Sequence, residues 1–204
     1  ALPFDALDFS GHEAFWKGLS DPPDGVLCAF GHLGPAAPDD LHWPETRRIV
    51  EVNYLGAMSI LNLAARDFAN RGAGFIIGIS SGGGDRGRSQ NLVYGSAKAG
   101  FSAYLSGLRS RFHCRGVRVL TVKPGLVRTQ MTAHLQLPPL LTASPDRVAE
   151  GVFRAWRQHR NVLYTPWPWV WIWRVIRHLP EPLFVRIFGD RPPPGPGPAG
   201  KPPA

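Results

Sequence analysis

The hydrophobic positions of this chain follow two alternating patterns. Four short runs are almost continuously apolar and are bounded by glycine or charged residues: Gly25–Phe30, Gly74–Ile79, Gly116–Val122 and Val162–Thr165. Such runs are typical of strands buried on both faces of a parallel sheet. Between them lie segments with apolar residues at helical spacing, chiefly 45–70, 94–111 and 145–156. With 204 residues, the chain is long enough for one α/β domain with a substantial core.

The second apolar run leads into the residues with the clearest chemistry. It ends in Ser80, Ser81 and three glycines, and Tyr94 and Lys98 follow four residues apart at the start of a helical segment. That spacing puts both side chains on one helix face. A neighbouring ammonium favours the phenolate and lowers a tyrosine pKa from about 10, so we expect Tyr94 to act as a general acid or base. Ser81 would hydrogen-bond the same substrate oxygen, although a solvated Tyr–Lys pair is the alternative.

The order of these residues resembles the active-site segment of the short-chain dehydrogenase/reductase family. Thirteen positions separate Ser81 from Tyr94, and the second motif has the form Tyr-x-x-x-Lys-Ala-Gly. The resemblance implies a Rossmann-like doubly wound parallel sheet and a nicotinamide cofactor, NAD or NADP. It also implies that Tyr94 is the catalytic acid/base, that Lys98 lowers its pKa and binds the nicotinamide ribose, and that Ser81 orients the substrate carbonyl.

Two further segments match cofactor loops of that family. The first strand ends in Cys28-Ala29-Phe30-Gly31, which keeps only the glycine of the family's Asn-Asn-Ala-Gly, so the resemblance implies a cofactor contact at Gly31. The third strand runs into a Pro-Gly-x-Val-x-Thr loop, in which Pro124, Gly125 and Thr129 would contact the nicotinamide carboxamide and the phosphates. An ordinary loop glycine and an ordinary Pro-Gly turn are the alternatives.

The start of the chain departs from the family pattern. The family's Gly-x-x-x-Gly-x-Gly turn, which holds the cofactor pyrophosphate, is absent. The segment 4–8 resembles the one after the family's third strand, so Asp5 would contact the adenine and Asp8 would begin or cap a helix over 11–19. In this register the first βαβ portion is missing and the chain is an N-terminally truncated domain. A solvated turn with two acids is the alternative.

A buried polar residue is expected in the long helix of 45–70. Asn53 lies at the edge of its apolar stripe, where an unpaired amide costs about 1–3 kcal/mol. Val52 to Gly56 matches the family's Val-Asn-x-x-Gly, whose asparagine sits in a locally bulged helix and holds a water in a proton relay to the lysine. The resemblance therefore adds Asn53 to the catalytic set, against a helix-capping or solvent-facing asparagine.

Charge and composition restrict the kinds of ligand and partner that the protein is expected to bind. The net charge is +8 with a pI near 10.2, yet no helix-turn-helix, zinc or RNA-binding signature accompanies it, so we expect no nucleic acid. The seven histidines are scattered without metal-ligand spacing, and we assign no metal. Two lone cysteines form no disulfide framework and are expected to be reduced, buried or inert in a cytoplasmic protein. No stretch is long and apolar enough to span a bilayer.

The C-terminal part has two distinct compositions. Segment 167–188 combines four tryptophans with several arginines, which suits either a membrane headgroup boundary or a buried role at the substrate side or a subunit interface. Residues 131–142 are expected to form a mobile substrate lid. We expect the domain to cover 1–190 and the Pro/Gly-rich tail 191–204 to be disordered.

These features predict an NAD(P)-dependent oxidoreductase acting on a carbonyl or alcohol. Three segments, 29–34, 93–100 and 123–135, most resemble family members that reduce a keto-sugar carried on a polyprenyl phosphate, which would bring the protein to the inner face of the plasma membrane. A homo-oligomer is also expected. Two alternatives stay open: a reductase of a small soluble ketone, and a non-catalytic truncated protein that acts at a membrane surface or in subunit pairing.

Overall fold

The structure is a computed structural model that describes residues 1–35, 41–132 and 138–189. Its main sheet has four parallel strands in the order β1-β2-β3-β6: β1 (Gly25–Cys28), β2 (Gly74–Ile79), β3 (Val117–Pro124) and β6 (Val162–Thr165). Two short strands, β4 (Leu126–Val127) and β5 (Thr142–Ala143), pair with each other. The predicted α/β fold with a parallel, Rossmann-like sheet is confirmed.

Helices cover both faces of this sheet. They are α1 (His12–Lys17), α2 (Trp43–Val50), α3 (Ala57–Arg71), α4 (Leu92–Phe112), α5 (Pro145–Arg157), α6 (Pro168–His178) and α7 (Glu181–Phe188). Ile76 and Val119 face a core formed with α3 and α4, whereas Ile77 and Leu120 face α5. Alternate residues of each strand thus enter opposite cores, which explains why the strands are continuously apolar in sequence.

The first strand differs from its prediction. We expected a fully buried strand over Gly25–Phe30, but β1 ends at Cys28 and the side chain of Leu27 is 56% exposed. The reason is its position: among the described residues β1 pairs only with β2 and is an edge strand. Residues 1–24 contain turns and α1 and no strand.

The long helix predicted over 45–70 is interrupted at its centre. Between α2 and α3 the backbone forms a π-helical turn, Glu51–Gly56. Helix α3 then ends at Gly72, whose left-handed conformation (φ 70°) is readily adopted only by glycine. The expected local bulge around Asn53 is therefore present.

The two C-terminal helices lie beside the loops that follow β3 and β6. Trp169 and Trp173 are buried in a small core with Ile176 and Phe184, whereas Trp167 and Trp171 are exposed. A buried role is thus present for Trp169 and Trp173, and a membrane contact of the exposed rings stays a prediction. No described helix is both long and apolar enough to cross a membrane.

Two predictions fall wholly or partly on residues outside the described ranges. The tail 191–204 lies outside them, as does the middle of the expected lid, 133–137. The described ends of the lid form short 3₁₀ turns, Gln130–Thr132 and Pro139–Leu141.

Candidate active site

The glycines after β2 hold Ser81 at the C-terminal edge of the sheet. Ser81 caps a 3₁₀ turn, Gly82–Gly84, and its Oγ accepts a hydrogen bond from Gly83 N at 3.0 Å. A β-carbon at Gly84 would lie 2.6 Å from Ala99 N, so the turn sits directly against the backbone of α4. Ser80 stabilises this contact between the strand end and α4, since its Oγ donates to Lys98 O at 2.9 Å. Small residues at this point let the strand end approach the helix that carries the next two functional groups.

Tyr94 and Lys98 lie one turn apart on α4, as their spacing predicts. Lys98 is only 3% exposed, and its Nζ lies 5.7 Å from the centroid of the Tyr94 ring. To the residues that the structure describes, Nζ donates one hydrogen bond, to Ile79 O at 3.0 Å. Because an ammonium has three N–H bonds, two of them remain for a ligand. The alternative of a solvated Tyr–Lys pair is excluded by this burial.

Burial controls the protonation of this pair. Desolvation raises the pKa of Tyr94 to about 12, and a hydrogen bond with Ser81 opposes that shift. Desolvation also lowers the pKa of Lys98 to about 8, against a smaller opposing effect of Cys28. We expected Lys98 to lower the pKa of Tyr94, and the structure gives the opposite direction. The physical reason is that loss of hydration penalises the phenolate more than the hydrogen bond with Ser81 stabilises it.

Asn53 connects the π-helical turn to the loop after β1. It is 1% exposed, and its Nδ2 donates to His32 O at 2.5 Å and to Ile49 O at 2.8 Å. Its Oδ1 accepts from His32 N at 3.2 Å. A β-carbon at Gly31 would lie 2.9 Å from Asn53 Oδ1 and 3.4 Å from Lys98 Nζ. Asn53, Gly31 and Lys98 are therefore in immediate proximity, and a solvent-facing asparagine is excluded.

The loop after β3 forms the opposite side of the site. Pro124 and Gly125 are partly buried and Thr129 is exposed. Thr129 N donates to Thr132 Oγ1 at 3.0 Å, and the two hydroxyls lie 3.4 Å apart. Gly125 N donates to Thr165 O at 2.9 Å, which fixes the turn to the end of β6. Trp169 packs on Gly125 from α6.

One cleft brings most of the predicted site residues together. Its volume is about 910 Å³, within the usual range for small-molecule sites. Ser81, Tyr94, Lys98 and four predicted cofactor-loop residues (Gly31, Pro124, Gly125 and Thr129) line it. An apolar wall continues along the sheet through Leu27, Phe75, Ile77, Val152 and Phe153.

Asp5 is not brought to this cleft. It is exposed, and its Oδ1 accepts a hydrogen bond from Leu7 N at 2.9 Å. Its carbonyl contacts the buried ring of His12 at 2.8 Å. Asp8 Oδ1 accepts hydrogen bonds from Ser10 Oγ and Gly11 N in the turn before α1. The expected cap is wrong, because α1 covers only His12–Lys17 and its N-cap is Gly11, which receives no side-chain cap.

Sequence reasoning missed a polar network behind the site. Asp85, directly after the glycine turn, pairs with Lys123 at the end of β3 and accepts a hydrogen bond from Tyr164 OH at 2.6 Å. This contact, together with burial, raises the pKa of Tyr164. Neither spacing nor composition indicates such a network, because its members are 38 and 79 residues apart. It ties the Ser81 turn to both strands on the other side of the cleft.

No cluster of three or more His, Cys, Asp or Glu side chains suited to a metal ion occurs in the part of the chain that the structure describes. Cys28 and Cys114 are free thiols, the first buried and the second exposed. Burial raises the pKa of the Cys28 thiol to about 11.

Comparisons with known proteins agree with this geometry. A family model for short chain dehydrogenases matches residues 25–138. The chain is 32% identical over 188 residues to an uncharacterized oxidoreductase of Streptomyces coelicolor, which covers 91% of this chain and 74% of that relative. It is 34% identical over 187 residues to an uncharacterized oxidoreductase of Mycobacterium tuberculosis, and the match covers 90% of this chain and 75% of that relative.

Solved structures extend the likeness to the fold. A short chain dehydrogenase/reductase family protein matches with a TM-score of 0.71 and 25% identity over 80% of this chain and 73% of its own. A short chain dehydrogenase from Burkholderia cenocepacia, solved in complex with NADP, matches with a TM-score of 0.78 over 91% of this chain and 77% of its own. At 20% identity, this second likeness concerns the fold alone.

Proposed function

We propose, from the premise that this chain belongs to the short-chain dehydrogenase family and is an NAD(P)-dependent oxidoreductase, that it reduces a carbonyl group with Tyr94 as the proton donor. The observation that carries this proposal is that Ser81, Tyr94 and Lys98 line one cleft together with the predicted cofactor-loop residues. With its pKa raised to about 12 by burial, the phenol keeps its proton at neutral pH and is ready to donate it. Donation is the step that carbonyl reduction requires, whereas alcohol oxidation requires the phenolate.

The residues present fit a nicotinamide cofactor at the reacting end. Lys98 has N–H bonds to spare in a buried position, and the absence of a side chain at Gly31 leaves the backbone beside it open to a close approach. Pro124, Gly125 and Thr129 would face the cofactor from the other loop. When bound, the cofactor supplies a hydride to the carbonyl carbon.

The chain's own groups then have distinct tasks. Ser81 Oγ donates a hydrogen bond to the carbonyl oxygen and polarises it. Tyr94 OH gives its proton to the same oxygen as negative charge develops there. Lys98 binds the cofactor ribose and stabilises the phenolate left behind. Asn53 holds the Gly31–His32 loop in place and lies at the start of the proton relay to Lys98.

The experiment is a reductase assay on the purified chain. Oxidation of NADH or NADPH is followed with a panel of ketones and aldehydes, for the parent and for Tyr94→Phe. Because a positioned acid contributes about 10²–10⁴ in rate, we expect Tyr94→Phe to lose at least tenfold with an unchanged melting temperature. Ser96→Ala is the matched control, since Ser96 lies on the exposed side of α4 and bonds only to Val93 O. Near-normal turnover by Tyr94→Phe would contradict the mechanism.

We further propose that the substrate is amphiphilic, a keto-sugar carried on a polyprenyl phosphate. The support is the resemblance of three segments to decaprenylphosphoryl-2-keto-ribose reductase. The alternative is a small soluble ketone. Comparing kcat/KM for a short-chain and a long-chain ester of one keto compound separates the two, because only the second gains from apolar burial.

The exposed face of the two C-terminal helices supports a contact with an anionic membrane. Trp171 is 58% and Val175 61% exposed. Arg174 lies over the Trp171 ring, and Val185 and Ile187 of α7 are also exposed. Apolar rings beside cations are the composition of interfacial helices. The same exposed face would also serve as the interface of a homo-oligomer. If the chain has no reductase activity, membrane contact or subunit pairing through this face would be its function.

A further inference from the structure

Unpartnered polar groups are concentrated beside the catalytic serine. Among the described residues, four buried side-chain polar atoms lack a hydrogen-bond partner: Arg88 Nε, Asn91 Oδ1, Trp156 Nε1 and Trp173 Nε1. Three of these four, all except Trp156, belong to residues around the Gly82–Gly83 turn. Buried polar groups are normally satisfied. The two unpartnered N–H donors, Arg88 Nε and Trp173 Nε1, therefore call for a ligand with acceptor oxygens, and Asn91 can contribute only its Nδ2 donor to such a ligand.

The glycines of the turn locate these groups relative to Ser81. A β-carbon at Gly82 would lie 2.0 Å from Trp173 Nε1. One at Gly83 would lie 3.1 Å from Arg88 Nη2, 3.3 Å from Ser81 Oγ and 3.7 Å from Asn91 Nδ2. The guanidinium and the serine hydroxyl therefore lie within 3.3 Å of one common point. Ser81 lines the cleft described above whereas Arg88 does not, so a substrate would reach the guanidinium past Ser81.

The charge of Arg88 is not neutralised by any described residue. Its guanidinium lies over the Trp173 ring at 5.1 Å, and no described carboxylate or carbonyl accepts a hydrogen bond from it. Burial alone lowers its pKa. Arg86, two residues away, shows the contrast: it donates to Ile176 O, Leu179 O and Glu181. A water molecule would satisfy an N–H donor of Arg88 but would leave the desolvated charge unpaired.

We propose that Arg88, with Asn91 and Trp173, binds an anionic oxygen group of the substrate, a carboxylate or a phosphate, next to the carbonyl that is reduced. This inference rests on the proposed function, because it names a substrate feature for the same site. The guanidinium fork matches two oxygens of either anion, and the indole N–H and the Asn91 amide supply further polar contacts. The substrate class is thereby a keto compound that carries a negative charge near its carbonyl.

Kinetics with paired substrates test the proposal. A keto acid and its methyl ester, or a keto phosphate and its neutral alcohol, differ only in the anion. Arg88→Gln should lower kcat/KM for the anionic member more than for the neutral one, by about tenfold or more, since hydrogen bonds to charged groups are the stronger ones. Arg88→Lys keeps the charge without the fork and should fall between. Arg154→Gln, an exposed residue on α5, is the control for loss of net charge. An unchanged anionic-to-neutral ratio in Arg88→Gln and Arg88→Lys overturns the proposal.

Binding of inorganic phosphate provides a readout that does not need turnover. Thermal unfolding is measured with phosphate and with sodium chloride at equal ionic strength, and acetate replaces phosphate to distinguish a phosphate site from a carboxylate site. Phosphate or acetate should raise the melting temperature of the parent and of Arg154→Gln but not of Arg88→Gln. Equal shifts in all three proteins overturn the proposal. If no carbonyl compound is reduced but the shift still depends on Arg88, the reductase function fails while the anion site stands.

Discussion

The indole of Trp169 lies directly on the α-carbon of Gly125: a β-carbon at that position would be 2.2 Å from Nε1. The indole N–H itself donates to Leu141 O at 2.8 Å, and the ring stacks on Trp173 at 5.7 Å between centroids. Helix α6 thus fixes the Pro124–Gly125 turn through one tryptophan and the Ser81 turn through the other.

Substitution of Gly125 tests this contact. Gly125→Ala should displace Trp169 and lower the free energy of unfolding by about 1–3 kcal/mol, the usual cost of an overpacked site. Gly107→Ala is the control, because nothing lies within 4 Å of a β-carbon there and the residue is inside α4. That change should instead stabilise the protein by about 0.5–1 kcal/mol. Denaturant unfolding of both variants measures the difference, and equal stabilities would contradict the packing.

The stability of the protein should depend on Lys98 in alkaline solution. Its folded pKa of about 8 lies below the ordinary value of 10.5, so between these two pH values the unfolded chain binds a proton that the native protein does not. Stability relative to Lys98→Met should therefore rise with pH across this window, by about 3 kcal/mol in total. Tyr94 contributes equally to both proteins. Unfolding of the two proteins at several pH values tests this, and a constant difference from pH 8 to 10.5 would contradict the lowered pKa.

The two directions of the reaction should differ in their pH dependence. Because burial raises the pKa of Tyr94 to about 12, the phenol stays protonated through the working range and alcohol oxidation lacks its base. Oxidation should accelerate as pH rises, whereas reduction should show no loss attributable to Tyr94. Initial rates in both directions over one buffer series check this. Because Lys98 itself loses its proton near pH 8, the reductive rate is also followed in Lys98→Arg, which stays charged. A rate that falls near neutral pH in this variant would show that the Tyr94 phenol ionises at a much lower pH than the structure indicates.

Asn53 should be needed both for stability and for the cofactor loop. Asn53→Ala removes the acceptor for His32 N and the donor for His32 O and leaves these backbone groups without that partner. We expect a loss of about 1–3 kcal/mol and a raised KM for the cofactor. Asn70→Ala, at an exposed position of α3, should change neither. An Asn53→Ala protein with normal cofactor KM would remove the residue from the functional set.

Membrane contact predicts a salt-sensitive interaction with anionic vesicles. Arg174 of α6 lies over the Trp171 ring, and Arg174 and Arg186 of α7 are both exposed. Each cation contributes about 1 kcal/mol near an anionic surface. Arg174→Glu/Arg186→Glu should therefore pellet less with vesicles rich in anionic lipid, and Trp171 emission should lose its blue shift. Arg154→Glu/Arg160→Glu makes the same change of charge on another exposed surface. Equal pelleting of the two double variants would remove the electrostatic contribution.

The residues that sequence patterns located correctly are those whose neighbours lie close in the chain. Strands Gly74–Ile79 and Val162–Thr165 have the predicted bounds, because a buried parallel strand is apolar along its whole length. Tyr94 and Lys98 share a face because helical spacing requires it. Asn53 was recognised through a motif of five residues and lies in the expected bulge.

The features that sequence reasoning missed depend on contacts between distant segments. The exposure of Leu27 follows from which strands pair with β1, and the raised pKa of Tyr94 follows from desolvation by the segments packed around it. The unpaired charge of Arg88 cannot be predicted from the sequence, because it depends on the packing of Trp173 against the guanidinium. Hydrophobic periodicity carries no information on any of these.

The hydrogen bonds that join the Ser81–Tyr94 loop to helices α6 and α7 also have a consequence for the order of folding during synthesis. Arg86 donates to Ile176 O and Leu179 O, and Ser89 Oγ donates to Phe188 O, partners that lie 90, 93 and 99 residues later in the chain. A ribosome adding about 5–20 residues per second needs several seconds to cover that distance. During this interval the sheet and α4 are able to fold, while the loop arginines still face water. We therefore expect the substrate side of the cleft to take its final shape only after α6 and α7 have been synthesised.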